Sequence, residues 1–166
     1  MRWIIPITAG VCLAADLASK HWVRANFSAG MTKPFLPGFL NLALTTNTGA
    51  AFGVGRDYAW LMTVLAVAIL IAVLVWVAKR QKRFRKSHFI ESLGAGLLIG
   101  GALGNICDRL VAGRVTDFLQ FSSFDFPVFN LADVSIDIGV ALILLQALLR
   151  HDTDSSCAGQ EASPHN

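Results

Sequence analysis

Charge is what this chain is short of. Only 15% of its 166 residues are Asp, Glu, Lys or Arg, and 54% are hydrophobic. Ordinary soluble domains carry about 25% charged residues. Together with a mean hydropathy of +0.56, that shortage excludes a water-soluble domain and implies an integral membrane protein. Cysteine is scarcer still. Cys12, Cys107 and Cys157 are far apart and form no repeated spacing. That excludes a disulfide framework and a cysteine zinc site. No HExxH or similar metal pattern exists, so neither a metal nor a cofactor is expected. The net charge of +3 does not indicate nucleic acid, because six of the 14 Lys and Arg lie between Lys79 and Lys86.

What the chain does have is four apolar runs, at about 3–23, 58–78, 89–110 and 131–149. About 20 helical residues cross a bilayer core of about 30 Å. The expected fold is therefore an all-α membrane protein of four transmembrane helices in a domain of residues 1–150. A polar tail, 151–166, rich in Ser and Asp, is expected to be disordered, with His151, His165 and Cys157 inert. A cleaved signal peptide competes for the first run, since Arg2 and Ala14-Ala15 fit one loosely. The basic run after Ala78 sets the orientation, because positive short loops stay cytoplasmic. Both termini are then inside, and the loops 24–57 and 111–130 outside.

The first loop carries strand signals. Leu40, Leu42 and Leu44 alternate with Asn41, Ala43 and Thr45, and Pro34 and Pro37-Gly38 read as turns. A small extracytoplasmic β-containing region is expected there. An extended peptide could add along such a strand; a plain surface hairpin is the simpler reading.

The chemistry sits in a few polar residues within apolar sequence. Asp16 and Lys20 are spaced i,i+4 and can pair, either as a structural ion pair with Lys20 snorkelling to the interface or as support for a site. Gly96, Gly100 and Gly104 repeat at the spacing that lets helices pack closely. Gly101, Asn105 and Arg109 share the neighbouring face. Asp117 and Asp133 flank the loop before the last run. Acids near a bilayer are costly, and two brought together suggest acid/base work. Asp137 lies one turn beyond Asp133, so the two form a like-charge pair, with Arg109 or Arg114 as partner. A Ser/His or Cys/His hydrolase needs a base within reach of its nucleophile. Only His21 is at the outer end, so the acids are the better candidates.

Five blocks now carry a resemblance: Asp16-Leu17-Ala18-Ser19-Lys20, Asn47-Thr48-Gly49-Ala50-Ala51-Phe52, Gly100 through Arg109, Val115-Thr116-Asp117-Phe118, and Phe129-Asn130-Leu131-Ala132-Asp133. Their order resembles the bacterial lipoprotein signal peptidases, the type II signal peptidases. The resemblance implies an aspartic endopeptidase of the inner membrane with its site near the periplasmic face. Asp117 and Asp133 would be catalytic. Asp16, Lys20, Asn47, Gly101, Asn105, Arg109 and Asn130 would support the site or bind substrate. The implied partners are diacylglyceryl-modified prolipoproteins, cut on the N-terminal side of the lipidated cysteine, membrane lipids, and cyclic peptide inhibitors such as globomycin at the dyad. Thr116 departs from the family's usual aliphatic residue, and Asp137 from a small or apolar one. The alternative is a small proton- or ion-coupled transporter subunit using Asp16, Lys20 and Asp133. An assembly factor built on the glycine face would leave the paired acids unexplained.

Overall fold

Among the described residues, three helices are long and apolar enough to cross a membrane. A computed structural model describes residues 3–47, 59–83 and 89–160. Its elements, in chain order, are α1 (Ile4–Asn26), β1 (Thr32–Leu36), β2 (Leu40–Asn47), α2 (Ala59–Arg83), α3 (Phe89–Ala112), β3 (Val115–Phe121) and α4 (Leu131–Gln160). The three apolar spans are Trp60–Arg80, Phe89–Ala112 and Leu131–Leu149. Helix α1 has the length of a span, but Asp16, Lys20 and Arg24 set it apart in composition. Residues 48–58 lie outside the described residues, and of the second block Asn47 alone is described.

Burial is inverted relative to a protein built for water. Ile7, Val11, Ile69, Ile71, Leu144 and Leu148 are exposed, while Asp16, Lys20, Asn105, Asp108 and Asn130 are buried. Lipid tails satisfy the first set. The second set must find partners inside, because hydrocarbon offers none.

Helix α3 is the centre of the bundle, and its glycines fix which neighbour each face meets. A Cβ at Gly96 would lie 2.7 Å from Thr8 Cβ, and one at Gly100 would lie 2.6 Å from the Ala9 carbonyl oxygen. One at Gly104 would run into the Asp16 carboxylate. The glycine stripe therefore seats α1. A Cβ at Gly94 would lie 2.7 Å from the Gly139 carbonyl oxygen, and one at Gly101 2.5 Å from that of Ala132. That second face seats α4. Gly100→Leu is thus expected to separate α1 from α3. Overpacking of this kind costs about 1–3 kcal/mol or more, to be seen as a lowered thermal midpoint in detergent. An unchanged midpoint would contradict the packing described.

The sheet joins both loops at one end of the bundle, in the order β1-β2-β3, all antiparallel. Between β1 and β2, Phe39 N–H donates to the Leu36 carbonyl at 3.0 Å and Gly38 has φ +78°. This is a turn with Pro37 fixing φ and Gly38 supplying the left-handed position. Pro34 makes no turn. It lies within β1, an exposed edge strand, where its missing N–H costs no ladder bond. Strand β2 is central, and its first part, residues 40–42, is paired on both sides, so a peptide cannot add along that part. Val23 and Phe27 of α1 pack with Phe118 and Leu119 of β3, and Leu40, Leu42 and Leu44 close the cluster.

Strand β3 has no period-2 pattern to announce it, because Val115 through Leu119 are all buried. It starts close behind α3. Gly113, at φ +67°, ends the helix with its N–H on the Arg109 carbonyl at 2.9 Å. Helix α4 continues to Gln160, through ten residues of the tail expected to be disordered. Extending an existing helix is far easier than nucleating one.

Candidate active site

Asn130 stands at the start of α4 and holds both loop acids. Its N–H donates to Asp133 Oδ2 at 3.1 Å, and Asp133 N–H donates back to Asn130 Oδ1 at 3.0 Å. This reciprocal pair is a capping box, with Asp133 in the third helical position. The Asn130 side-chain amide donates to Asp117 Oδ1 at 2.6 Å. Asp117 reaches this point because Phe129 bridges to Leu119, its N–H donating to the Leu119 carbonyl at 2.9 Å. Rings of Phe39, Phe121, Phe124, Phe126 and Phe129 pack mostly edge-to-face, at 4.5–6.4 Å between centroids, and pin the loop between them. A bulge sets Ala43 and Leu44 of β2 opposite Phe118 alone, just before Asp117 pairs with Thr45.

Asn105 carries the support from α3. Its side-chain amide donates to Asp133 Oδ1 at 2.8 Å, and its carbonyl oxygen accepts from Lys20 Nζ at 2.9 Å and from Asn130 at 3.2 Å. Gly101, one turn earlier, lets the first turn of α4 come close enough for this bond. Asn47, the last residue of β2, hydrogen-bonds Asp117 with its side chain. Arg109 donates to the Asn105 carbonyl at 3.5 Å, and the charges of Asp133 and Asp117 act on it.

Asp16 and Lys20 are fully buried and 2.8 Å apart. Lys20 therefore does not snorkel to the interface. Glycine at position 104 leaves room for the pair between α1 and α3. Asp16 Oδ1 accepts the N–H of Ala132 at 3.0 Å, so its charge also sits at the N-terminus of α4. Lys20 lies 3.4 Å from Asp108 Oδ2.

Asp108 and Arg24 are part of this arrangement, although the sequence alone marks neither as a site residue: Asp108 figures only as a member of the Gly100 through Arg109 block. Arg24 donates to Asp108 Oδ1 at 3.1 Å and to Thr116 Oγ1 at 2.9 Å, while Thr116 N–H donates to Asp108 Oδ2 at 2.9 Å. These bonds fasten β3 one residue before Asp117. The signal was available. Asp16, Lys20 and Arg24 form one i,i+4 series, and Asp108 continues Gly100 and Gly104.

Asp117 and Asp133 open on a cavity of about 510 Å³, walled by Asn105, Arg109, Phe126 and Val134 among others. Asp117 is 3% exposed. Burial, reinforced by the negative charge of Asp133, raises its pKa to about 6. Asp137 also lines this cavity but is exposed and makes no hydrogen bond or ion pair with a described residue. Arg114 is not its partner. It lines a different cavity, beside Arg24 and Thr116. Cys12 and Cys107 are free thiols, and His21 lies outside the cavity walls.

Comparison with known proteins agrees with this geometry. Residues 8–149 match the family model described as Signal peptidase (SPase) II. A lipoprotein signal peptidase from Synechococcus sp. is 35% identical over 146 residues, 88% of this chain and 94% of that protein. One from Yersinia pestis is 38% identical over 155 residues, covering 90% and 88%. Among solved structures, a bacterial membrane enzyme determined by the in meso method at 2.3 Å resolution superimposes with a TM-score of 0.79 at 31% identity, covering 89% of this chain and 88% of that one. With the match running through all four helices and the sheet, the chain belongs to the signal peptidase II family.

Proposed function

We propose that the protein is an aspartic endopeptidase that removes the signal peptide from lipid-modified prolipoproteins, with Asp117 and Asp133 as its catalytic pair. The observation that carries this reading is Asn130, which bonds both carboxylates at the wall of one cavity. Charge balance suggests how the pair rests. Lys20, Arg24 and Arg109 face Asp16 and Asp108, which leaves one positive charge for the dyad to offset. One carboxylate and one carboxylic acid meet that need. Two carboxylates this close do not both ionise readily.

In this mechanism Asp117 acts as the acid and Asp133 as the base. Asp133 takes a proton from water, and the water oxygen attacks the scissile carbonyl carbon. Asp117 gives its proton to the carbonyl oxygen. The tetrahedral intermediate then collapses. Its hydroxyl returns a proton to Asp117, Asp133 passes its own to the leaving nitrogen, and the C–N bond breaks. No covalent enzyme intermediate forms, and the two acids titrate as a unit. Asn105, held by Lys20, fixes Asp133. Asn130 and Asn47 fix Asp117.

The substrate's diacylglyceryl chains remain in the lipid while the peptide enters the cavity, and cleavage falls on the N-terminal side of the lipidated cysteine. Globomycin-type cyclic peptides would occupy the same cavity. The test is cleavage in detergent of a lipidated precursor peptide beside its unlipidated twin. The lipidated peptide is expected to be cut and the twin spared. Equal cleavage of both would remove the lipid from the reading.

The same reading makes α1 the fourth span. Its 23 residues reach about 34 Å, and its charges are paired inside the bundle. The basic residues from Lys79 face the cytoplasm of a bacterial inner-membrane protein, as do both termini, and the sheet faces the periplasm. Cysteine introduced at Lys33 is expected to react with an impermeant reagent in intact cells, and cysteine at Lys79 to be spared, in a background lacking native cysteines. The reverse result would invert the topology. The transporter reading is not supported. Its acids would have to span the bilayer depth, yet Asp16, Asp108, Asp117 and Asp133 gather at one end.

A further inference from the structure

Strand β3 separates two cavities. Side chains alternate across a strand, so Val115 and Asp117 face the dyad cavity while Thr116 faces the other way. The second cavity, of about 500 Å³, is bounded by Arg24, Arg114, Thr45, Thr46 and Thr116, with Gly30 at its rim. Its polar groups are guanidinium donors and hydroxyls, with no carboxylate on the wall. Asp108 is buried behind Arg24 and already bonded to it and to the Thr116 N–H. Arg114 is exposed and makes no hydrogen bond or ion pair with a described residue.

We propose that this second cavity binds the phosphate of an anionic phospholipid headgroup. Guanidinium groups and hydroxyls together match a phosphate diester, which Arg can hold through paired N–H groups. The location selects the source. The cavity lies at the ends of α1 and α3, where a helix that crosses the bilayer meets its headgroups, and basic pockets at that level hold anionic lipids. The diacylglyceryl substrate carries no phosphate, so this is not a second substrate position. Thr116 supplies the hydroxyl between Arg24 and this cavity. An aliphatic side chain there would leave Arg24 without its hydroxyl acceptor and the cavity without a polar floor. Because Arg24 also fastens β3, phosphate held here would steady the strand that carries Asp117.

The inference rests on α1 reaching the membrane surface, and not on the identity of the dyad. Its test therefore reads lipid binding and not cleavage. The full chain is purified in detergent, offered phosphatidylglycerol or phosphatidylcholine, and examined by native mass spectrometry. Phosphatidylglycerol is expected to be retained in preference. Arg114→Gln should weaken that retention about fivefold, the worth of one surface arginine near anionic lipid. Lys79→Gln, at the other end of the bundle, should leave it unchanged. Thr46→Val offers a second variant that keeps the charge and should also weaken retention. Equal retention of the two lipids, or equal loss in Arg114→Gln and Lys79→Gln, would overturn the site. Displacement of phosphatidylglycerol by millimolar inorganic phosphate would instead assign the cavity to soluble phosphate and overturn the lipid.

Discussion

Asp117→Asn and Asp133→Asn are each expected to abolish cleavage of a lipidated precursor, by a factor on the order of 10⁴, while substrate binding persists. The exchange is nearly isosteric, so the cavity keeps its shape. Asn130 can still donate to an amide oxygen at position 117. What disappears is a proton donor at one position or a base at the other. The double variant should be hardly worse than either single one, because the two groups act as a unit. Substantial turnover by either single variant would remove the catalytic assignment.

The pKa of Asp117 adds a pH profile and a sign. Activity needs that carboxyl protonated, so kcat/KM is expected to fall as pH rises through about 6. Bound substrate excludes water and should carry the fall in kcat to higher pH. Stability follows the same group. Its pKa is raised on folding, so folding is favoured most below the ordinary carboxylate pKa, and that advantage fades as pH climbs to about 6. Above this, a buried charge costs about 3 kcal/mol, since one pKa unit is worth about 1.4 kcal/mol. At neutral pH the inactive Asp117→Asn protein should therefore melt no lower than the parent. A markedly lower midpoint would mean that the ionised carboxylate stabilises the fold.

Lys20→Met has the largest expected effect on stability. The lysine is fully buried, 2.8 Å from Asp16 and 3.4 Å from Asp108, and donates to Asn105. Methionine fills similar space without the charge. Two buried carboxylates would then face each other across the gap, and breaking such a pair costs about 3–5 kcal/mol. Loss of folded protein in detergent is expected, with activity lost alongside it as Asn105 is released from one side. Asp16→Asn should be milder, because Lys20 keeps Asp108 and the amide oxygen can still accept from Ala132. If Lys20→Met melts with the parent, the buried network contributes nothing to the fold.

The sequence by itself determined the membrane class, three of the four apolar spans it led one to expect, and the pairing of Asp16 with Lys20. Each rests on composition or a short periodicity, which local sequence carries in full. The glycine stripe of α3 was legible for the same reason, since close packing requires small residues at i+4. Leu40, Leu42 and Leu44 announced β2 because one of its faces is apolar. Strand β3 gave no such signal, being buried on both sides, and with it went the central place of β2. That Lys20 is sealed inside could not be read from an i,i+4 spacing, which fits a surface pair equally well. Arg24 and Asp108 are 84 residues apart, and nothing local to either names the other. Only the tertiary structure brought Asn130 between Asp117 and Asp133, because that position depends on the Phe129 bridge, the cap of α4 and the turn at Gly113 all closing together. Local chemistry chose the residues; the long-range contacts decided which of them meet.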